Sequence, residues 1–446
     1  MKYTSVTTVA DMRQYRGKDI HAYYTDDGHI LEGPTLWLLS VAERTHSPQT
    51  VRVYGQRLAR YLRWYDFIYG LTVGPDDEMR QRREDWQLAD IAILRAYREH
   101  LLDIQDDDEH RRPSNESINA ATTTIVQFYD WATQEEYTHF VSVKRTERRM
   151  RIESGTSAQP IYRSVYHHEL LLPKDRYHLL KNELTRFIDN ESLKLACKLL
   201  NERDPVYRFI AMVLRFVPLR PGIDLPQLPF HGEGPNRGMR WYSNDEIARD
   251  GLENESISFT FLSKGHKRHT LAFPGDLWAI LCRHWMPLRQ ERARRYADAH
   301  NGRPPGNDIL FLTEAGVPVT YPMLYEAFAK VTDHPRWIKE RTDETTGEVI
   351  RRRRYETFTP YMLRRAWATY HVLNFAKKQG TLPNVHDMNL VLANELKYWL
   401  GHEDVKTAYE HYVQLCALLM EPLAERPTGP EDSNILQQLA RLPLSP

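Results

Sequence analysis

The chain has 446 residues, a hydrophobic fraction of 41% and a charged fraction of 27%, which is typical of a globular protein with two or three domains. Lys plus Arg and Asp plus Glu both number 60, so the formal net charge is zero and indiscriminate binding to polyanions is disfavoured, although a local basic face is compatible with it. The sequence shows no apolar run that could span a bilayer, no signal peptide and only three scattered cysteines. We therefore expect a protein of a reducing cytoplasm, without a membrane partner.

The first part of the chain is predicted to form a helical domain. Residues 1–34 are weakly patterned and are treated as an N-terminal extension, whose role as a DNA-reading arm or as packing stays open. Helical patterns follow, among them 86–102 and 115–136, so we assign residues 35–140 to one helical domain.

The segment 47–68 is predicted to be an amphipathic helix that begins at Ser47 as N-cap, followed by Pro48. At helical spacing one side is apolar, formed by Val51, Tyr54, Leu58, Tyr61, Leu62 and Tyr65. The opposite side carries basic residues, which are Arg52, Arg60 and Arg63. These arginines form either a solvated face or a surface that binds phosphates.

A basic stretch, VKRTERRMR (143–151), and the linker-like SGTSAQP (154–160) follow the helical domain. The basic residues of this stretch are Lys144, Arg145, Arg148, Arg149 and Arg151. We interpret residues 141–172 as an interdomain linker, which is either a solvated tether or a strap that contacts DNA.

The second domain is predicted at 173–425 and is mostly helical. Alternating patterns at 257–262 and 269–274 around a turn predict a β-hairpin. The polar segment 340–360 is predicted to be a loop or hairpin insertion, and 426–446 a loosely held tail in which 435–442 could form a short helix. The predicted fold class is therefore mostly α with a small β-sheet (α+β).

Four separated stretches contain residues suited to phosphate chemistry. In chain order they are PLRPGID with Arg220 and Asp224, FLSKGHKRHTLAFP with Lys264, TPYMLRRAWAT with Tyr361 and Arg364, and LGHEDVKTAYEHYV with His402, Tyr409 and Tyr412. Arginine is suited to hold phosphate oxygens because its planar guanidinium donates two parallel hydrogen bonds and stays charged.

This set, in this order, resembles the tyrosine recombinases, which include the phage integrases, over about residues 35–420. The resemblance implies a helical core-binding domain and a catalytic domain that form a clamp on double-stranded DNA. It also implies a homotetramer on paired DNA sites, a bacterial cytoplasm or nucleoid, and integration or excision of a mobile element.

The resemblance implies a reaction in which a tyrosine attacks a DNA phosphodiester and forms a 3′-phosphotyrosyl bond, with no metal and no cofactor. Arg220 and Arg364 would hold the non-bridging oxygens, Lys264 would protonate the leaving 5′-oxygen, and His402 would donate to the phosphate. Asp224 is a supporting residue. Tyr361 stands where the family has a histidine; tyrosine donates a hydrogen bond but accepts protons poorly.

The nucleophile has two candidates, because the family tyrosine usually follows the Leu-Gly-His histidine by nine residues. Tyr412 follows His402 by ten residues and Tyr409 by seven, so Tyr412 is the smaller deviation on a helix and is preferred.

Other interpretations stay open for several single residues. Arg364 could form a surface ion pair, and Lys267 competes with Lys264. His402 could cap a helix. His266 and His269 are expected to be solvated on the hairpin turn, because a metal site needs ligands that converge.

Two other functions remain as alternatives. One is a recombinase-fold protein that binds DNA without cutting it, which Tyr361 and the shifted tyrosine would favour. The other, from a different class, is a helical scaffold for protein partners.

Overall fold

The computed structural model describes residues 4–7, 18, 20–24, 30–45, 47–72, 85–103, 113–152, 161–173, 188–263, 267–342, 349–355, 357–379, 389–401, 409 and 432–443. The chain is divided into two compact units, which are Met1–His178 (unit 1) and Leu179–Pro446 (unit 2). Helices predominate and the strands pair in two-stranded sheets, which confirms the predicted fold class. Within the described residues, no helix combines the length and the apolar character that crossing a bilayer requires.

Unit 1 is built from helices around an aromatic core. Its elements are β1 Thr4–Thr7, β2 His21–Tyr24, α1 Glu32–Arg44, α2 Pro48–Thr72, α3 Ile91–Asp103, α4 Asn115–Gln134, β3 Arg145–Ile152 and β4 Ile161–His168. Trp37, Tyr61, Trp86 and Phe128 are almost fully buried in this core. Large rings supply much of the buried apolar area, which stabilises a helical domain of this size.

Helix α2 has the two faces that its sequence predicts. Val51, Leu58 and Tyr61 are fully buried, because the helical period places them on the side that packs against α4. The hydroxyl of Tyr61 lies 2.9 Å from that of Tyr129 on α4, so this polar group has a partner inside the core.

Part of the N-terminal extension belongs to the same core. Tyr23 on β2 is buried, and its hydroxyl donates to the carbonyl of Gly55 on α2. This contact favours a packing role for the described part of residues 1–34.

The segment predicted as a linker contains a β-hairpin. Strands β3 and β4 pair in antiparallel register, with Arg145 opposite His168. The segment after β4 is attached to α4, since Asn119 accepts from the backbone of Leu172 and donates to its carbonyl. The sequence predicted an interdomain linker here, as a solvated tether or as a strap that contacts DNA, and did not predict the regular backbone pairing of a hairpin.

Unit 2 has its core around two consecutive buried helices. Its elements are α5 Asn190–Arg203, α6 Pro205–Phe216, α7 Asn244–Arg249, β5 Ser256–Ser263, β6 Lys267–Pro274, α8 Gly275–Ile280, a π-helical turn Leu281–Trp285, α9 Met286–Ala299, α10 Tyr321–Thr332, β7 Ile338–Thr342, β8 Val349–Arg353, α11 Pro360–Gln379, α12 Leu390–Leu400 and α13 Asp432–Ala440. Helix α6 is buried along nearly its whole length. Asp204 caps α6 by accepting from the backbone of Val206, and Pro205 occupies the first turn.

The predicted β-hairpin of this unit is present, and the segment predicted as a loop or hairpin insertion also forms a hairpin. Strands β5 and β6 pair from Ser256 opposite Pro274 to Ser263 opposite Lys267. Strands β7 and β8 form a second hairpin inside the polar segment 340–360 and just before it. In β5, Ile257, Phe259 and Phe261 are buried and alternate with more exposed residues, as the period-two pattern predicts.

Residues 432–443 pack against the rest of unit 2, which corrects the expectation of a loose tail for this part, and they contain the short helix that was expected there. Ile435, Leu436 and Leu439 of α13 are buried in the core of unit 2. The buried Arg208 of α6 donates to the carbonyl of Leu442 at 2.6 Å, and Asn201 donates to the carbonyl of Pro443. The sequence could not show this attachment, because the partners are 234 residues apart in the chain.

Candidate active site

Arg220 lies in a tight turn directly after helix α6. The backbone N–H groups of Ile223, Asp224 and Leu225 all point to the carbonyl oxygen of Arg220, at 3.0–3.3 Å. This folding of the chain brings the Asp224 carboxylate back to the backbone N–H of Arg220, which donates to it at 2.8 Å. The turn therefore positions an acidic side chain beside the arginine, four residues later in the sequence.

The Arg220 guanidinium contacts two other elements of unit 2. Its Nη1 donates to the hydroxyl of Ser263 at the end of β5 at 2.7 Å. Its Nη2 lies 3.3 Å from the carbonyl oxygens of both Leu400 and Gly401 at the end of α12. The side chain keeps 15% of its surface exposed, so it is held in place but still reaches solvent.

Arg364 approaches the same point from helix α11. It lies in the first turns of the helix that begins at Pro360, and its side chain is only 7% exposed. Its Nη1 donates to the carbonyl of Pro218, and its Nη2 donates to the carbonyl of Leu400 at 2.6 Å. The alternative of an ordinary surface ion pair is therefore wrong, since the guanidinium is buried among backbone acceptors.

Gly401 allows the end of α12 to face both arginines. Its φ of +59° is left-handed, a conformation that terminates helices and that glycine adopts without steric cost. Because the helix ends here, the carbonyls of Leu400 and Gly401 have no helical partner and accept from the guanidinium groups instead.

Asp224 balances part of the positive charge. It is 1% exposed, and its Oδ2 lies 3.4 Å from Arg220 Nη1 and 3.8 Å from Arg364 Nη1. Burial raises the pKa of this carboxyl above its usual value, and the hydrogen bond and charge of Arg220 and the charge of Arg364 offset only part of that rise. Two guanidinium groups thus share one carboxylate among the described residues, which leaves a net positive charge suited to an anion.

Tyr361 is placed differently from the two arginines. It is 40% exposed on α11, whereas Arg364, one turn later, is buried. The pKa of Tyr321 on α10 is raised first by burial and then by the charge of Tyr361. Tyr361, at the position where the motif led us to expect a histidine, therefore presents its phenol to solvent at the start of α11.

Of the two candidate nucleophiles, the structure describes Tyr409 and not Tyr412. Tyr409 is fully buried in a cluster with α11 and α12, and its hydroxyl accepts from the backbone N–H of Asn389 at 3.1 Å. This packing explains Tyr409 as a core residue. Tyr412, His402 and Lys264 lie outside the described residues.

The basic residues predicted to contact DNA are exposed wherever the structure describes them. Arg52, Arg60 and Arg63 lie on the outer face of α2, and Lys144 and Arg145 precede or begin β3. Arg145 forms an ion pair with Asp130 of α4. Side chains of the remaining three lie outside the described residues; they are Arg148, Arg149 and Arg151.

Two site residues were not predicted as such from the sequence. Ser263, next to Lys264, accepts from Arg220. His269 was expected to be solvated on the turn, but it lies within β6 and is half-buried against Phe261 and Tyr398. The available signal was alternation along β6, which places His269 on the same face as the buried Leu271 and Phe273.

Comparisons with known proteins return solved structures only. No protein-family model matches the chain, and no curated protein matches it. A post-cleavage complex of the site-specific recombinase XerH with palindromic difH substrate matches with 13% identity and a TM-score of 0.45, covering 88% of this chain and 89% of that one. Its pre-cleavage complex gives 13% identity and a TM-score of 0.46, covering 88% and 84%. The Tn1549 transposon integrase with circular intermediate DNA gives 12% identity and a TM-score of 0.39, covering 87% and 99%.

In these three matches the identity is 12–13% and the TM-score is 0.39–0.46. Two of these structures are of a site-specific recombinase and one is of a transposon integrase.

Proposed function

We propose that the protein is a site-specific DNA recombinase or integrase that cleaves and rejoins DNA strands through a 3′-phosphotyrosyl intermediate. The observation that supports it most is the convergence of Arg220 and Arg364 on one carboxylate and one helix end, from positions 180 and 36 residues away from Leu400. Burying two guanidinium groups side by side costs free energy unless opposite charge and hydrogen bonds compensate both of them. A scissile phosphate would supply the missing negative charge.

The chemistry follows from the charge distribution. During attack, the phosphorus gains a fifth oxygen ligand and its non-bridging oxygens become more negative. Guanidinium groups held by Asp224 and Leu400 need no reorganisation at that moment, so their hydrogen bonds favour the transition state over the ground state. The phosphotyrosyl bond conserves the energy of the cleaved phosphodiester, and religation to a partner strand needs no nucleotide cofactor.

Tyr412 is the nucleophile in this proposal. Tyr409 is buried and its hydroxyl is engaged with Asn389, so it would have to leave its core cluster to reach a phosphate. Lys264 is the general acid for the leaving 5′-oxygen and His402 a donor to the phosphate, both carried over from the family motifs. Tyr361 donates a hydrogen bond at most, because a phenol is a weak proton acceptor at neutral pH.

DNA binding would use the exposed basic residues of unit 1 as phosphate contacts. Arg52 and Arg60 lie two turns apart on α2, and the β3–β4 hairpin adds the basic stretch that begins at Lys144. Such contacts are independent of base sequence and weaken steeply with salt. A homotetramer on paired DNA sites, used for integration or excision of a mobile element, completes the proposal.

A covalent-trapping assay tests this function. The protein is mixed with nicked duplexes made from DNA that flanks its own gene, and adducts are separated on a denaturing gel. The expected result is an adduct with the unsubstituted protein and none with Arg364→Ala, in a variant that still folds. If duplexes that the protein binds tightly give no adduct under any condition, the proposed strand cleavage is wrong.

The non-cutting DNA-binding protein is the second candidate, and Tyr361 is the observation that favours it. A histidine at this position would donate and accept protons near neutral pH, which an exposed tyrosine does poorly. Salt-sensitive DNA binding without any adduct would support this candidate.

A further inference from the structure

His269 lies in a half-buried position between the β5–β6 hairpin and α12. Its ring contacts Phe261, its partner across the hairpin, with centroids 5.4 Å apart, and Tyr398 of α12, with centroids 5.7 Å apart. The Tyr398 hydroxyl donates to the carbonyl of Thr270 at 2.7 Å, which ties α12 to β6 beside the histidine. The imidazole is therefore held in place by rings on two elements.

The register of the hairpin puts His269 on the face that contacts the arginine site. Phe261 and His269 are directly opposite each other, and Ser263 is two residues further along β5. Residues two apart and residues directly opposite share one face of a two-stranded sheet. Since Ser263 accepts from Arg220, His269 is a diagonal neighbour of a side chain that holds the catalytic arginine.

Two buried polar atoms on this side have no partner among the described residues. One is Oδ1 of Asp224, whose other oxygen is engaged with Arg220. The second is Nε2 of His269. Leaving such atoms unpaired is costly, and their chemistry is complementary when the imidazole carries a proton on Nε2, because the carboxylate can only accept.

The charges around His269 make its protonation sensitive to an anion. Burial lowers the pKa of His269 most, the charge of Asp224 raises it, and the charges of Arg220 and Arg364 lower it. A hydrogen bond with the backbone of Tyr398 raises the pKa as well. Its own strand carries the exposed Lys267 and Arg268, and on α12 Lys397 directly precedes Tyr398, while Lys264 and His266 lie outside the described residues.

We infer that His269 is a positioning residue that takes up a proton when a phosphate enters the arginine site and then donates from Nε2 to Asp224, directly or through one water. A bound phosphate neutralises the two guanidinium charges that oppose protonation of the imidazole. The imidazole then takes up a proton from solvent. The imidazolium donates from both nitrogens, so it can serve the Tyr398 backbone and Asp224 at once. The carboxylate is thereby fixed while the arginines hold the reacting phosphate.

The role in strand cleavage rests on the proposed function, but the coupling to Asp224 and the arginines does not. In NMR spectra of protein labelled with ¹³C-histidine, each histidine gives its own imidazole signal. The signal that is missing in the His269→Gln variant is assigned to His269. In titrations without DNA, Asp224→Asn is expected to lower the pKa of His269, and Arg364→Gln is expected to raise it. If both variants leave this pKa where it is in the unsubstituted protein, the inference is wrong.

The second arm measures adduct formation at several pH values. His269→Leu is expected to slow adduct formation about tenfold at neutral pH, as loss of a supporting partner commonly does, with DNA affinity within about twofold. His269→Gln keeps a donor of similar reach and is expected to restore most of the rate, with a flatter pH profile. Thr270→Val, on the opposite face, is the matched control and should behave like the unsubstituted protein.

The two failures are distinguishable. Absence of any adduct with the unsubstituted protein contradicts the proposed function, while the titrations still decide the coupling of His269. Equal adduct rates and equal pH profiles for His269→Leu and the unsubstituted protein would contradict the positioning role, whatever the titrations show.

Discussion

Arg220 and Arg364 donate to the same backbone oxygen: Nη2 of each lies 3.3 Å and 2.6 Å, respectively, from the carbonyl oxygen of Leu400. A helix end thus joins two guanidinium groups that come from a turn and from another helix. The carbonyl and Asp224 hold the pair together despite their like charges. The geometry of the end of α12 should therefore control the spacing of the arginines.

Replacing Arg364 by lysine is expected to reduce adduct formation about 100-fold, the cost of losing one preorganised donor at a transition state. Lysine keeps the charge but cannot donate to Pro218 and Leu400 while also facing a phosphate. Adduct rates with nicked duplexes check this, with DNA affinity measured in parallel. A rate within threefold of the unsubstituted protein would show that Arg364 holds the fold only.

Gly401→Ala is expected to destabilise the protein by about 1 kcal/mol, because alanine is strained at a φ of +59°. It should also slow adduct formation, since relief of the strain moves the carbonyls of Leu400 and Gly401. Gly251→Ala is the matched control, with a φ of +61° and open space around the added methyl group. Equal effects of the two variants on adduct formation would contradict the role of the α12 end.

Tyr409→Phe is expected to lower the free energy of unfolding by about 1 kcal/mol and to leave adduct formation nearly intact. The substitution removes the acceptor for the partly buried N–H of Asn389, and the ring stays in its core cluster. Urea unfolding and the trapping assay measure the two effects. Complete loss of adduct in a folded Tyr409→Phe protein would identify Tyr409 as the nucleophile instead.

Arg52→Gln and Arg60→Gln are each expected to weaken DNA binding equally for all sequences. The slope of log affinity against log salt should fall by about 1 for each phosphate contact that is lost. Arg249→Gln, an exposed arginine of α7 paired with Asp250, is the control. An unchanged slope in both α2 variants would show that Arg52 and Arg60 make no phosphate contacts.

Acidification below about pH 6.5 is expected to destabilise the protein through histidines that are buried in the neutral form. Burial lowers the pKa of His168 and His269, so the unfolded chain takes up these protons first as pH falls. Their stabilising contribution is present above the unfolded pKa and is lost as pH falls through the folded pKa. Urea unfolding at neutral and acidic pH should therefore show a smaller acid loss for His269→Gln than for the unsubstituted protein. Equal losses would exclude His269 as a source of this pH dependence.

Sequence patterns predicted the parts of the fold that depend on local periodicity. The two faces of α2 and the β5–β6 hairpin follow from apolar residues at intervals of 3.6 and 2, and both are confirmed. The four motifs likewise pointed to Arg220, Arg364 and Asp224, and the structure brings these three together.

Features that depend on distant partners could not be predicted. The attachment of α13 requires a contact between Arg208 and Leu442, and the burial of Tyr409 requires α11 and α12 to meet around it. Spacing along one helix could not show that Tyr361 would be exposed while Arg364 was buried. Alternation along β6 could have placed His269 on the buried face, but its contact with Tyr398 of α12 depends on a partner 129 residues later in the chain.

The most direct test of the central claim is to identify the residue that becomes joined to DNA. The trapped adduct would be digested with protease and nuclease, and the peptide that carries a nucleotide would be sequenced by mass spectrometry. The account predicts a 3′-phosphonucleotide on Tyr412, with no adduct from Tyr412→Phe. A nucleotide on any other side chain, or a bound and folded protein that never becomes joined to DNA, would contradict it.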